Sequence, residues 1–135
     1  MNKFKCKCGF ETNNEERLVK HIFQECGLSD EIKNNEVKKY EYYRKLVNFA
    51  VDNVLKEIAE GVFEVKDCQI DEFRALWILL ASGLVKDSLF NTTQEEAQKM
   101  LLLYAPEAMI AMLEFAKLVK VEFINNKLFV KRANS

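Results

Sequence analysis

The sequence predicts a mainly helical α+β chain with a cysteine- and histidine-bearing module at its N-terminus and a β-hairpin at its C-terminus. Three observations predict it. The chain has one proline and four glycines in 135 residues, so long helices are rarely interrupted. Apolar residues recur at three- and four-residue spacing from about residue 36 to residue 117, then switch to strict alternation. Three of the four cysteines and the single histidine fall within the first 26 residues.

Composition narrows the class. Hydrophobic residues make up 49% and charged residues 30%, ordinary usage for one compact domain. A formal net charge of −1 excludes the global basic field of a general nucleic-acid coat protein. The longest apolar run, Ala75 to Ala81, is far shorter than the roughly 20 residues that span a bilayer. No charged start followed by an apolar stretch marks a signal peptide, so a cytoplasmic protein with no membrane role is expected. Thiols stay reduced there, and the clustered cysteines read as metal ligands before they read as disulfides.

The N-terminal ligand types are spaced Cys6-x-Cys8-x12-His21-x4-Cys26. Two close pairs separated by a short helix are a common way to give zinc four tetrahedral sulfur and nitrogen donors. Asn13 or Asn14 can cap that helix, with Glu15 and Glu16 in its first turn where the dipole favours negative charge. Leu18, His21 and Ile22 then share one face, and Gly27 is a natural stop. Cys68, alone and distant, reads as a small buried hydrophobe.

Residues 4–26 resemble the C2H2 zinc-finger family in its variant with a final cysteine. The resemblance rests on Phe4 two positions before the first cysteine, the twelve-residue spacer, and Leu18 three positions before His21. The knuckle departs from the family in having one residue between its cysteines, so its turn must be tighter. Phe10 also lies nearer to Cys8 than the family aromatic, whose place is taken by Thr12. The resemblance implies a structural zinc ion on Cys6, Cys8, His21 and Cys26. It also implies DNA-facing helix positions at Asn14, Arg17 and Lys20, with Glu16 beside them. The segment's acidic and basic residues nearly cancel and one finger covers about three base pairs, so this unit alone is not expected to bind a specific site.

Residues 1–27 are thus expected to form the finger, 28–35 a polar join, 36–132 a helical domain and 133–135 a tail. From Glu36 the pattern Val37, Tyr40, Tyr43, Val47, Ala50, Val51, Val54, Ile58 predicts a helix of about 36 Å ending at Gly61. Such a helix can cover a core or pair with a second copy as a homodimer. Its Lys38, Lys39, Arg44 and Lys45 form a solvated face or an approach to phosphates. Residues 62–68 are ambiguous, with a strand through Val62, Phe63 and Val65 as one option.

Asp71 to Ala81 predicts an apolar helix with Phe73, Leu76, Trp77 and Leu80 inward. Thr93-Gln-Glu-Glu96 forms a capping box for a helix carrying Ala97, Met100, Leu101 and Tyr104 on one side. Pro106 opens the next helix, which runs to about Lys117 with Met109, Met112, Leu113 and Ala116 inward. Finally, Val119, Val121 and Phe123 alternate, Asn125-Asn126 supplies a tight turn, and Leu128 and Val130 alternate back. A two-residue turn places Phe123 opposite Leu128 and Val121 opposite Val130, so the apolar residues are expected to share one face.

The order of these elements over residues 71–132 resembles the winged helix-turn-helix family. The resemblance makes Thr92 to Met100 part of the second helix, Pro106 to Lys117 the third and Val119 to Arg132 the wing. The third helix would then present Glu107, Ile110, Ala111, Glu114 and Lys117, a poor set for a groove lined with phosphates. The wing differs. Residues 116–135 carry +4, with Lys120, Lys127, Lys131 and Arg132 placed to hold a DNA backbone or minor groove. Edge-strand lysines that discourage aggregation are the competing explanation.

Catalysis is not expected. A four-ligand metal site leaves no open position, no second histidine remains as a base, and no phosphate loop, nucleophile motif or small-molecule site is visible. The expected function is a small zinc-finger DNA-binding regulator that uses finger and wing. The alternative is a protein-interaction adaptor or inhibitor built on a structural zinc finger. Composition is similar to that of small archaeal and archaeal-virus regulators. The near-neutral total hides segments of +1 over residues 1–26, −1 over 27–60, −5 over 61–115 and +4 over 116–135.

Overall fold

Local chemistry sets the helix boundaries. The structure, a computed structural model, describes residues 4–63, 69–85 and 92–133. Strands β1 (Phe4–Lys5) and β2 (Glu11–Thr12) pair antiparallel and lead into α1 (Glu15–Lys20), which continues as a wide π turn through His21–Glu25. Asn14 caps α1 by accepting from the Arg17 N–H at 3.0 Å. The polar join is not all loop: it contains the short α2 (Asp30–Lys33), capped by Ser29. Asn35 then accepts from the N–H groups of Val37 and Lys38 and starts α3 (Glu36–Phe49). A π turn, Ala50–Val54, joins α3 to α4 (Leu55–Ala59), so the long predicted helix is present as one helical run with an inserted wide turn. Val62 and Phe63 lie outside any strand, with both N–H groups on the Glu57 carbonyl. Val65 and Cys68 fall outside the described residues.

The next helices are α5 (Ile70–Ser82), α6 (Gln94–Tyr104) and α7 (Pro106–Phe115). Thr93 Oγ1 accepts from the Glu96 N–H at 3.1 Å, as expected of a cap. Strands β3 (Val119–Ile124) and β4 (Lys127–Arg132) form the hairpin in the predicted register, Val121 opposite Val130 and Phe123 opposite Leu128. Asn125 and Asn126 both have positive φ, 53° and 64°, as a type I′ turn requires.

The core is shared by both ends of the chain. Leu18, Val19, Ile22 and Phe23 of the N-terminal helical segment are buried with Tyr40, Tyr43, Leu46 and Val47 of α3, Trp77 and Ile78 of α5, Leu101 of α6 and Met109 of α7. At the centre lies α5, buried at every position from Arg74 to Ala81. A helix apolar all round belongs inside, and this one packs against α3, α6 and α7.

Two expectations about side-chain direction fail. Much of the predicted outer face of α7 is covered: Ala111 is buried, Ile110 packs on the core, and Glu114 accepts from the Tyr40 hydroxyl and pairs with Arg44 of α3 at 3.4 Å, while Lys117 is exposed as expected. The predicted inward Ala116 is exposed. In the hairpin, Phe129 opposes Glu122 and Ile124 opposes Lys127, so these two apolar residues lie on the face opposite Val121 and Phe123. Side-chain period two dictates this parity once the turn register is fixed.

Candidate metal centre

The ligand cluster assembles from three backbone devices. The Cys6–Gly9 knuckle is a tight turn in which Gly9 N–H donates to the Cys6 carbonyl at 3.0 Å and Cys6 N–H to the Phe10 carbonyl at 2.8 Å. Gly9 has φ 105°, a conformation that a side chain at this position would strain. This turn is how one intervening residue suffices between two cysteines. The second device is the π turn. Positions 21 and 26 would lie about 140° apart around an α-helix. The i+5 closure, with Cys26 N–H on the His21 carbonyl at 2.9 Å, brings them to the same side. The third device is the short β1–β2 ribbon that seats the knuckle over α1.

Cys6, Cys8, His21 and Cys26 each offer one ligand atom, and these atoms lie within 4.8 Å of one another. Cys6 Sγ and Cys26 Sγ are 3.7 Å apart, and Cys8 Sγ lies 3.2 Å from His21 Nε2. A disulfide would need about 2.05 Å. A tetrahedron with metal–sulfur bonds of about 2.3 Å has S···S edges of about 3.8 Å, the separation that Cys6 and Cys26 already have. All three thiols are free.

Surrounding groups orient the donors. His21 Nδ1 is 3.1 Å from Glu25 Oε1, which leaves Nε2 for the metal. Arg17 grips the same carboxylate through both terminal nitrogens, at 2.9 and 3.2 Å. The Arg17 guanidinium, and next to it His21, hold the Glu25 carboxyl below its usual range. Phe10 stacks flat on the imidazole, with ring centroids 4.1 Å apart, and Arg17 lies over the Phe10 ring. The aromatic that sits close to Cys8 in sequence therefore acts as a lid on His21.

The thiols differ in their protons. A backbone hydrogen bond from Phe10, helped by His21, lowers Cys8 to about 7. Burial, then the neighbouring Cys6 and Cys8, pushes Cys26 up to about 12. Cys8 gives up its proton readily and Cys26 resists, first because burial penalises its charged form and then because neighbouring thiols would add like charge. A divalent cation removes that penalty, so the donor set fits a metal whose binding releases protons.

Arg74 is the residue the sequence reading missed. It is 1% exposed inside the apolar α5. Its Nε donates to the Ile22 carbonyl at 2.6 Å and Nη2 to the Cys26 carbonyl, while Nη1 reaches the Tyr42 hydroxyl at 2.8 Å and Asp71 at 3.1 Å. One guanidinium thus collects carbonyls left unpaired at the end of the helical segment that carries His21 and ties them to α5 and α3. Gly27 passes close beside it: a Cβ there would lie 3.5 Å from Nη2. The only sequence signal was an arginine inside an otherwise apolar run.

The predicted nucleic-acid residues do not form one cluster. Asn14 serves as the α1 cap, Arg17 holds Glu25, and Lys20 is half-buried at the end of α1. Lys120, Lys127 and Lys131 share one hairpin face, whereas Arg132, opposite Val119, lies on the other. No helix among the described residues is long and apolar enough to cross a membrane. No family model, curated protein or solved structure matches the chain.

Proposed function

We propose that the chain is a small DNA-binding protein, a transcriptional regulator, whose N-terminal module is a C2HC zinc finger holding structural zinc. The three-thiolate, one-imidazole donor set favours zinc among common divalent ions, and four protein ligands make the site structural. The winged-helix reading is supported by the order of three helices, α5 to α7, followed by a hairpin. With α7 covered by α3, DNA contact falls to the hairpin.

One observation carries this reading. The outward hairpin face places Lys120, Lys127 and Lys131 around Phe129, which is 44% exposed. Glu122 is the one acid on that face and already pairs with Lys131 at 3.2 Å. Three ammonium groups around an exposed aromatic suit phosphate contact combined with an apolar wedge at a base step. The test is fluorescence anisotropy of the full chain on random duplex over a salt series. Lys127→Ala/Lys131→Ala should weaken binding and reduce the slope of log affinity against log salt by about two per chain bound. Phe129→Ala should weaken binding with the slope kept. Binding that neither variant alters would refute the assignment.

An adaptor is the second reading, favoured by Leu102 and Leu103 on α6, 60% and 63% exposed at adjacent positions. It predicts no salt-dependent DNA binding by the full chain.

A further inference from the structure

Strand β3 has one partner among the described residues, β4, which leaves its other edge open. The two-residue turn makes Ile124 and Lys127 the first hydrogen-bonded pair of the ladder. By alternation, Glu122 and Lys120 also bond to β4, and the backbone groups of Val119, Val121 and Phe123 face the open edge. Leu118 and Ile124 at either end are 60% and 50% exposed, and Phe123 is 49% exposed. An apolar edge of this length is a template for another strand.

We propose that a second copy of the chain occupies this edge, pairing β3 with β3 antiparallel about a twofold axis through Val121. Charge selects both edge and register. A twofold perpendicular to the sheet keeps each residue on its own face, so the pairing can centre only on a residue. Centring on Lys120 sets lysine against lysine, and centring on Glu122 sets carboxylate against carboxylate. Centring on Val121 instead sets Lys120 of each copy against Glu122 of the other. The same register matches Val119 with Phe123 and Leu118 with Ile124, so the exposed apolar residues cover one another. The β4 edge offers no such match: centring on Phe129 opposes Lys127 with Lys131, and centring on Leu128 or Val130 pairs no opposite charges.

The resulting four-stranded sheet aligns the two outward faces, each with its lysines and Phe129. The pairing itself does not depend on what those faces bind. It also places a dimer contact on the hairpin and not on α3, whose apolar face is already buried in the core.

Charge reversal tests the register directly. Light scattering after gel filtration of the zinc-loaded full chain should give twice the chain mass. Lys120→Glu and Glu122→Lys should each raise the dissociation constant about tenfold or more, since each turns two attractive pairs into two repulsive ones. Mixing the two variants in equal amounts should recover the dimer, because their edges are complementary to each other. A monomeric native chain, a dimer indifferent to both substitutions, or a mixture that stays monomeric would overturn the proposal.

Discussion

Each end of this chain is a two-stranded antiparallel ribbon, and the two are built in opposite ways. The N-terminal ribbon has two residues per strand; it lies beside four side chains close enough to bind a metal and against a helix sunk into the core. The C-terminal ribbon has six residues per strand and an Asn-Asn turn that sets its own register, and both its faces stay largely open to solvent. The first ribbon depends on the whole molecule, and the molecule on it. The second can change its Lys120-bearing face without disturbing the core, because Val121 and Leu128, which pack there, lie on its other face. The first ribbon's helix is therefore part of the core, while the second ribbon carries more exposed surface.

The largest effect should come from the metal site. On the proposed zinc reading, the metal would contribute on the order of 10 kcal/mol, comparable to the whole stability of a domain of this size. Because Leu18, Ile22 and Phe23 belong to the common core, Cys26→Ser should lower the melting temperature of the entire chain, not of residues 4–26 alone. A single transition at lower temperature by far-ultraviolet circular dichroism is the expected result. A small early transition with the main one unchanged would show that residues 4–26 unfold independently of the helical body.

Arg74→Met comes next. It leaves the Ile22 and Cys26 carbonyls without their donor in a buried place, at a cost of about 3 kcal/mol in urea unfolding. Arg74→Lys should recover only part of this, because one ammonium cannot reach both carbonyls and Tyr42 together.

A smaller, pH-dependent effect concerns Glu15. Burial, with Glu96 facing it, raises its carboxyl from 4.5 to about 7, and Oε2 has no hydrogen-bond partner among the described residues. The folded pKa lies above the unfolded one, so the contribution is complete below about 4.5 and is lost as pH rises through about 7. Glu15→Gln should raise the melting temperature at pH 8 and leave it nearly unchanged near pH 5. An equal change at both values would show that ionisation is not the cause.

The smallest stability effect belongs to the hairpin's outward face. Lys127→Ala/Lys131→Ala should move stability by less than about 0.5 kcal/mol, since these are exposed side chains with one surface ion pair. The same substitutions should change nucleic-acid binding far more than melting.

What could be read from the sequence follows the range of the forces involved. The Cys and His spacing, the caps at Asn14 and Thr93, and the hairpin register rest on local sequence, and spacing alone exposes them, whereas the cap at Asn35 lay unread within the polar join. Arg74 could not be found this way, because its carbonyl partners lie 52 and 48 residues earlier in the chain. The covered face of α7 was hidden for the same reason: nothing within α7 indicates that α3 lies across it. The burial of α1 in the common core was partly visible, since Leu18 and Ile22 share the His21 face, but what that face meets is a tertiary fact.

The chain carries its own reporter of whether the N-terminal module and the helical body form one structural unit. Trp77, the single tryptophan, is fully buried in α5 and is not one of the four ligands. Titrating the zinc-loaded chain with a chelator while following Trp77 emission and released metal tests that unity directly. The emission should shift to the red in step with metal release. Metal leaving completely while Trp77 emission stays unchanged would contradict it.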